Sequence, residues 1–138
     1  MLSNKARYAL RALMVLAEGA PASASISALA EQSKAPRKFL EAILLELNRA
    51  GVLVSRRGRA GGYALARPAE QISVADIIRI VDGPLALAPC ASVTAPGRCS
   101  TCPDMETCPV RPALIASRNA VAAVLESWTL ARGGMPID

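Results

Sequence analysis

The four cysteines of this 138-residue chain, Cys90, Cys99, Cys102 and Cys108, share one short stretch, APCASVTAPGRCSTCPDMETCPVRP. The stretch is rich in Pro, Gly, Ser and Thr and holds too little apolar surface to fold alone. Something must organise it. Thiolates are soft ligands, and the free energy of metal binding can order such a loop. Cys99 and Cys102 form a C-x2-C pair, a spacing that suits chelation. Four thiolates satisfy a 2Fe–2S or 4Fe–4S iron–sulfur cluster, and they would equally satisfy zinc. The gap from Cys90 to Cys99 is long for a short zinc ribbon and no second C-x2-C follows, so zinc is the lesser expectation. A thiol–disulfide sensor without metal is the remaining alternative.

A second set of chemically able residues is cationic. Residues 1–68 carry 11 Lys/Arg against 4 Asp/Glu, and residues 69–138 carry 5 against 7. The basic half therefore suits a polyanion. Its arginines do not all lie on one amphipathic helix, which favours nucleic acid over a membrane surface. Catalysis has no such support. The chain lacks His, has 3% aromatic residues and offers no paired carboxylates in an evident cleft, so no enzyme is expected. The C-x2-C pair alone suggests a thioredoxin-like oxidoreductase, but no βαβ pattern surrounds it.

These residues need elements to hold them. A 52% hydrophobic composition with so few aromatics indicates a core of Ala, Leu, Ile and Val, as in helical proteins. No apolar run reaches the roughly 18–20 residues of a membrane span. The N-terminal MLSNKARYALRALMVLAEG resembles a signal peptide superficially, but Lys5, Arg7, Arg11 and Glu18 interrupt it. It reads as an amphipathic helix of a cytoplasmic protein, where structural disulfides are uncommon.

That first helix starts at a Ser3 or Asn4 cap and runs to about Glu18, with Leu10, Leu13, Met14 and Ala17 as the inward stripe. A short helix, ISALAEQS, follows from a Ser25 or Ser27 cap with Ile26, Leu29 and Ala30 inward. After a break at Ser33-Lys34-Ala35, a third helix spans about 36–50, with Leu40, Ile43, Leu44 and Leu47 on one face. Short helix, tight turn, longer helix is the helix-turn-helix pattern. Two strand signals, Val52–Val54 and Tyr63–Leu65, flank a glycine-rich connector that holds Arg56, Arg57 and Arg59. A hairpin in that place is a wing. Ser73 caps a fourth helix with Val74, Ile77, Ile78 and Val81 apolar. Pro112 opens a last helix to about Leu130, with Leu114, Ile115, Val121, Val124, Leu125 and Trp128 available for packing. Gly133 onward reads as a loose tail.

In such a fold the start of the third helix faces the major groove, which nominates Lys34, Pro36, Arg37, Lys38 and Glu41. Arg and Lys grip guanine or phosphate, and Glu accepts from a cytosine amino group. The wing's Arg56, Arg57 and Arg59 suit a narrow minor groove, where the negative potential is enhanced. Gly61 and Gly62 serve backbone geometry; a phosphate loop would need a following helix, and a strand follows here.

Three segments, KARYALRALMVLA, GRAGGYALARPAEQISVADIIRIVDGPLAL and the downstream cysteines, together resemble the IscR/NsrR/CymR-type regulators. These are the Rrf-two family of bacterial winged-helix transcription factors. The resemblance covers about residues 2–130. It is carried by G-x-x-G-G-Y from Gly58 to Tyr63, by I-x-x-x-D-I-I-x-x-V-[ED]-G-P-L from Ile72 to Leu85, and by a C-x5-C pair ahead of a long helix. It implies a homodimer in which that helix crosses to the partner, double-stranded DNA bound at a palindromic operator, and in some members an iron–sulfur cluster. It also implies base reading by Glu41, wing contact by Arg57, and cluster ligation by Cys90, Cys102 and Cys108. Two departures stand out. Arg111 occupies the place of the IscR-like ligand His, and Arg7 that of the NsrR-like ligand Asp. Cys99 is additional, and the fourth ligand is either Cys99, an Asp or Glu, or a residue of the partner protomer.

The fold class expected is mainly α with a small β-hairpin wing: a winged helix-turn-helix plus a long C-terminal dimerisation helix. Residues 1–83 form the DNA-binding domain, 84–111 the cysteine-containing loop, and 112–138 the dimerisation helix and tail. The function expected is a dimeric regulator sensing iron, redox state or nitric oxide. The alternatives are a zinc-stabilised interaction module and a thiol-based regulator without a cluster.

Overall fold

The computed structural model describes residues 2–59 and 61–132. Helix α1 spans Asn4–Gly19, α2 Ile26–Ser33 and α3 Arg37–Arg49. Strands β1, Leu53–Arg56, and β2, Gly62–Leu65, follow, then α4, Val74–Val81, and α5, Arg111–Ser127. Caps set the helix starts. Ser3 accepts from the Ala6 N–H at 3.0 Å and Ser25 from the Ala28 N–H at 3.1 Å. Ser73 and Asp76 form a reciprocal capping box at α4. The Ser3 backbone N–H and hydroxyl both donate to Asp82, tying the start of α1 to the end of α4.

The core lies where α1, α2, α3 and α4 meet. Leu13, Leu29, Leu40, Ile43, Leu44, Leu47, Ile72 and Ile77 are fully buried in it. The stripe expected on α3 is the buried one in full. On α1 the expectation needs correcting. Leu13 is buried, but Leu10, Met14 and Ala17 are only half-buried, and the inward face is Ala6, Ala9, Ala12, Leu13 and Leu16. Alanines let neighbouring helices approach closely, so the small residues face inward and the larger Leu10 and Met14 sit at the margin.

The strands pair antiparallel, with Leu53 opposite Leu65 and Arg56 opposite Gly62. Ala24 adds a third rung, its N–H and C=O bonded to Tyr63 at 2.9 and 2.8 Å. Gly62 permits that approach. It sits at φ +147°, and a Cβ there would lie 2.1 Å from the Ala24 carbonyl oxygen. A Cβ on Gly61 would lie 2.6 Å from the carbonyl oxygens of Arg56 and Gly58. The G-G-Y motif is therefore a matter of backbone geometry.

The last helix stops at Ser127, before the expected Leu130. The chain then turns extended and pairs with the segment ahead of α4. The Val74 N–H donates to the Trp128 carbonyl at 2.8 Å, and the Leu130 N–H to the Ile72 carbonyl at 3.0 Å. Leu130, on a closing 3-10 turn, is buried in the winged-helix core. The connector residue Ala60 and the tail expected from Gly133 lie outside the described residues.

Candidate nucleic-acid interface and cysteine site

All five residues nominated around the turn and α3, Lys34, Pro36, Arg37, Lys38 and Glu41, are exposed. Lys34 makes the turn, at φ 53° and ψ 39°, a left-handed conformation that usually falls to glycine. Pro36 is the N-cap of α3 and leaves the first amides of the helix without a side-chain partner. Arg37 is positioned on both sides. Its Nη1 donates to Ser27 Oγ at 3.0 Å, and its Nε lies 3.4 Å from Glu41 Oε1. The pair is 62% and 54% exposed, so it orients the two groups without removing them from solvent.

The wing arginines Arg56, Arg57 and Arg59 are likewise exposed and line one broad groove with Ser25, Ala28 and Gln32 of the α2 region. Helix α2 thus borders both sets, meeting Arg37 through Ser27 and the wing through its groove-lining residues. Phe39 is a residue that the sequence reading passed over. It is 59% exposed on the first turn of α3 and stacks on Tyr8, ring centroids 6.4 Å apart. Arg11 covers the Tyr8 ring at 5.1 Å. The available signal was its register, since Phe39 falls off the Leu40/Ile43/Leu44/Leu47 stripe.

Beyond its buried start at Cys90, Ala91 and Ser92, the cysteine loop is held by polar contacts. Arg98 donates to the Cys102 carbonyl at 3.1 and 2.9 Å and to the Pro103 carbonyl at 2.6 Å. Asp104 accepts from the Glu106 N–H and the Thr107 hydroxyl, each at 3.0 Å. Cys90 is buried on a 3-10 turn over Pro89–Ala91, and Arg111 Nε donates to its carbonyl at 3.3 Å. Cys99, Cys102 and Cys108 are half-buried, and all four thiols are free. Burial pushes the Cys90 thiol up from its ordinary range. A side-chain hydrogen bond with Cys99, the charge of Cys99 and that of Cys108 add to this, and Arg111 opposes it.

The structure places all four cysteines on the segment between α4 and α5. It does not gather the set, because among the described residues no three Cys, Asp or Glu side chains stand close enough to hold a metal ion. The four thiols match an iron–sulfur cluster in number and type, but the structure does not place them around one. Arg98 and Arg111, which organise that loop, were not among the expected site residues.

A helix-turn-helix with a hairpin wing, carrying its exposed cations at the turn and the wing, is the build of a winged-helix transcriptional regulator. The chain belongs to the Rrf2 family, described as iron-dependent transcriptional regulators, whose pattern matches residues 2–132. An rrf2-like HTH-type transcriptional regulator of Rhodobacter capsulatus is 38% identical over 94% of this chain and 89% of its own length. CymR of B. subtilis, a global cysteine regulator, has a TM-score of 0.74 at 30% identity, covering 94% of this chain and 92% of its own. T. potens IscR has a TM-score of 0.75 at 26% identity, covering 100% and 93%. The family and the Rhodobacter relative are transcriptional regulators, and this chain is a regulator rather than an enzyme.

Proposed function

We propose that this regulator binds a palindromic operator in double-stranded DNA as a cytoplasmic homodimer. The observation that carries this reading is the sidedness of α3: Leu40, Ile43, Leu44 and Leu47 are buried, while Arg37, Lys38 and Glu41 stay in solvent. A rigid, buried back and a free front is what base-edge reading requires of a recognition helix. In this reading Glu41 and Arg37 contact bases, Lys34 and Lys38 contact phosphate, and Arg56, Arg57 and Arg59 enter the minor groove. Residues 1–83 are the reading head, 84–111 the sensing loop and 112–138 the dimerisation segment. Helix α5 supports the last assignment, since none of its residues is buried and Val121 and Val124 are exposed.

Cys90, Cys99, Cys102 and Cys108 hold a 2Fe–2S or 4Fe–4S cluster in this proposal. When bound, the cluster supplies sensitivity to iron, redox state or nitric oxide. The chain's own part is mechanical. The loop lies between α4 and α5, so its closure shifts the reading heads of the two protomers, and DNA affinity changes only as far as closure favours one arrangement. A second reading, a thiol switch without metal, draws on the four free thiols of the loop.

The DNA arm is tested by selecting operator sequences and measuring affinity against salt. Each phosphate neutralised contributes about −0.9 to the slope of log K on log salt. Arg57→Ala should weaken binding and flatten that slope. Glu41→Ala should relax one base position by about 1–3 kcal/mol with little change in slope. Parent-like binding of every sequence by both variants would remove the proposed reading head.

A further inference from the structure

A cavity of about 330 Å³ lies between the end of α4, the segment 84–94 and α5. That volume falls within the range of small-molecule sites. Leu85, Val93 and Ala122 give it apolar walls, and Arg79, Arg118 and Glu126 are its charged lining. Two of these charges satisfy each other, with Arg79 Nη2 lying 2.6 Å from Glu126 Oε1. Arg118 has no such match. Its Nη2 donates to the neutral side-chain oxygen of Asn119, and its Nε is buried without a hydrogen-bond partner among the described residues. A buried donor left unmade costs about 1–3 kcal/mol, and more when it is charged. Few such groups survive in a folded protein without a reason.

We propose that this cavity is an effector site for a small monocarboxylate with a short aliphatic body. The charges fix the sign and number of the ligand's charges: two guanidinium groups against one carboxylate leave a single positive charge to be met. With Nε buried and one Nη2 proton on Asn119, the half-buried Arg118 offers Nη1 and the second Nη2 proton, a planar pair that matches a carboxylate with two parallel hydrogen bonds. Ser92 adds a donor, because its oxygen already accepts from the Ala95 N–H at 2.9 Å and its proton is free to reach the ligand. The apolar walls take the aliphatic body. The position gives the site consequence, since an occupant would join α4 to α5 and fix Ser92, two residues from Cys90. This site rests on neither the cluster nor the DNA reading, although its wall 84–94 belongs to the sensing loop, and it gives the regulator a second, metabolite-sized input.

Isothermal titration calorimetry on the full chain tests it, with 2-oxoisovalerate and L-valine as probes and inorganic phosphate as the comparison anion. Saturable binding of either acid is expected, and which acid binds tells whether an ammonium group is required. Arg118→Lys keeps the charge but loses the planar pair and should weaken binding about tenfold or more. Ala122→Leu should do the same by filling the cavity, with the guanidinium untouched. The proposal is overturned if neither acid saturates the parent chain, if phosphate binds in their place, or if both variants bind as the parent does.

Discussion

The winged helix and α5 treat apolar side chains in opposite ways. In the winged helix the aliphatic residues close on one another, and Leu13, Leu29, Leu40, Leu44 and Leu47 have no exposure at all. In α5 no residue is buried, and Val121 and Val124 are 41% and 57% exposed. The first region carries its own stability and can hold exposed arginines still enough to be selective. The second is completed from outside its own fold, by the second copy proposed here and by whatever closes the cysteine loop. The proposed sensing role suits this sparsely packed region, because a ligand shifts an equilibrium most readily where few contacts oppose it.

The contrast breaks most visibly in the core. Leu44→Ala should cost about 2–5 kcal/mol in denaturant unfolding. Val124→Asp on α5 should instead leave the far-UV circular dichroism of the chain intact and turn a sedimenting dimer into a monomer. A parent-like sedimentation coefficient for Val124→Asp would show that α5 is not the dimer contact. The wing offers the next test. Gly62→Ala drives a Cβ into the Ala24 carbonyl and should cost about 2–3 kcal/mol. Gly58→Ala is its control: Gly58 has φ +103° but nothing within 4 Å of the added carbon, so only the conformational cost of about 1–2 kcal/mol applies. Equal losses would mean that the rung to Ala24 contributes nothing. The smallest effect is expected at the turn. Lys34→Gly relieves a left-handed lysine but frees the unfolded chain, and these nearly cancel to within about 1 kcal/mol of stability. Operator affinity should still fall with the lost charge, which separates the role of Lys34 in DNA contact from its role in the fold.

Legibility in the sequence followed the same divide. The Leu40/Ile43/Leu44/Leu47 stripe was readable because a 3.6-residue period and large side chains coincide there. The α1 face was misread because its inward residues are mostly alanines, whose burial no hydropathy pattern announces. The end of α5 was placed late because pairing of Trp128–Leu130 with Ile72–Val74 is a non-local bond between segments more than fifty positions apart. The glycines of the wing were correctly assigned to backbone geometry, but their contact with Ala24 is visible only in three dimensions. At the cysteine site, residue type and spacing named candidate chemistries, an iron–sulfur cluster, zinc or a thiol switch, and the fold leaves the four thiols ungathered. The roles of Arg98 and Arg111 depend on which carbonyls the loop turns toward them, and the spacing of cysteines contains nothing about that.

The central claim is that the cysteine loop governs the reading head. It is tested most directly by purifying the chain without oxygen, recording its visible absorption, and measuring operator affinity before and after removal of iron. A brown protein whose affinity changes on iron loss is the predicted result, with Cys90→Ala, Cys102→Ala and Cys108→Ala each colourless and fixed at the iron-free affinity. Cys99→Ala then decides the fourth ligand, since lost colour means an all-thiolate site. A colourless parent whose operator affinity is unmoved by iron or by all four substitutions would contradict the account.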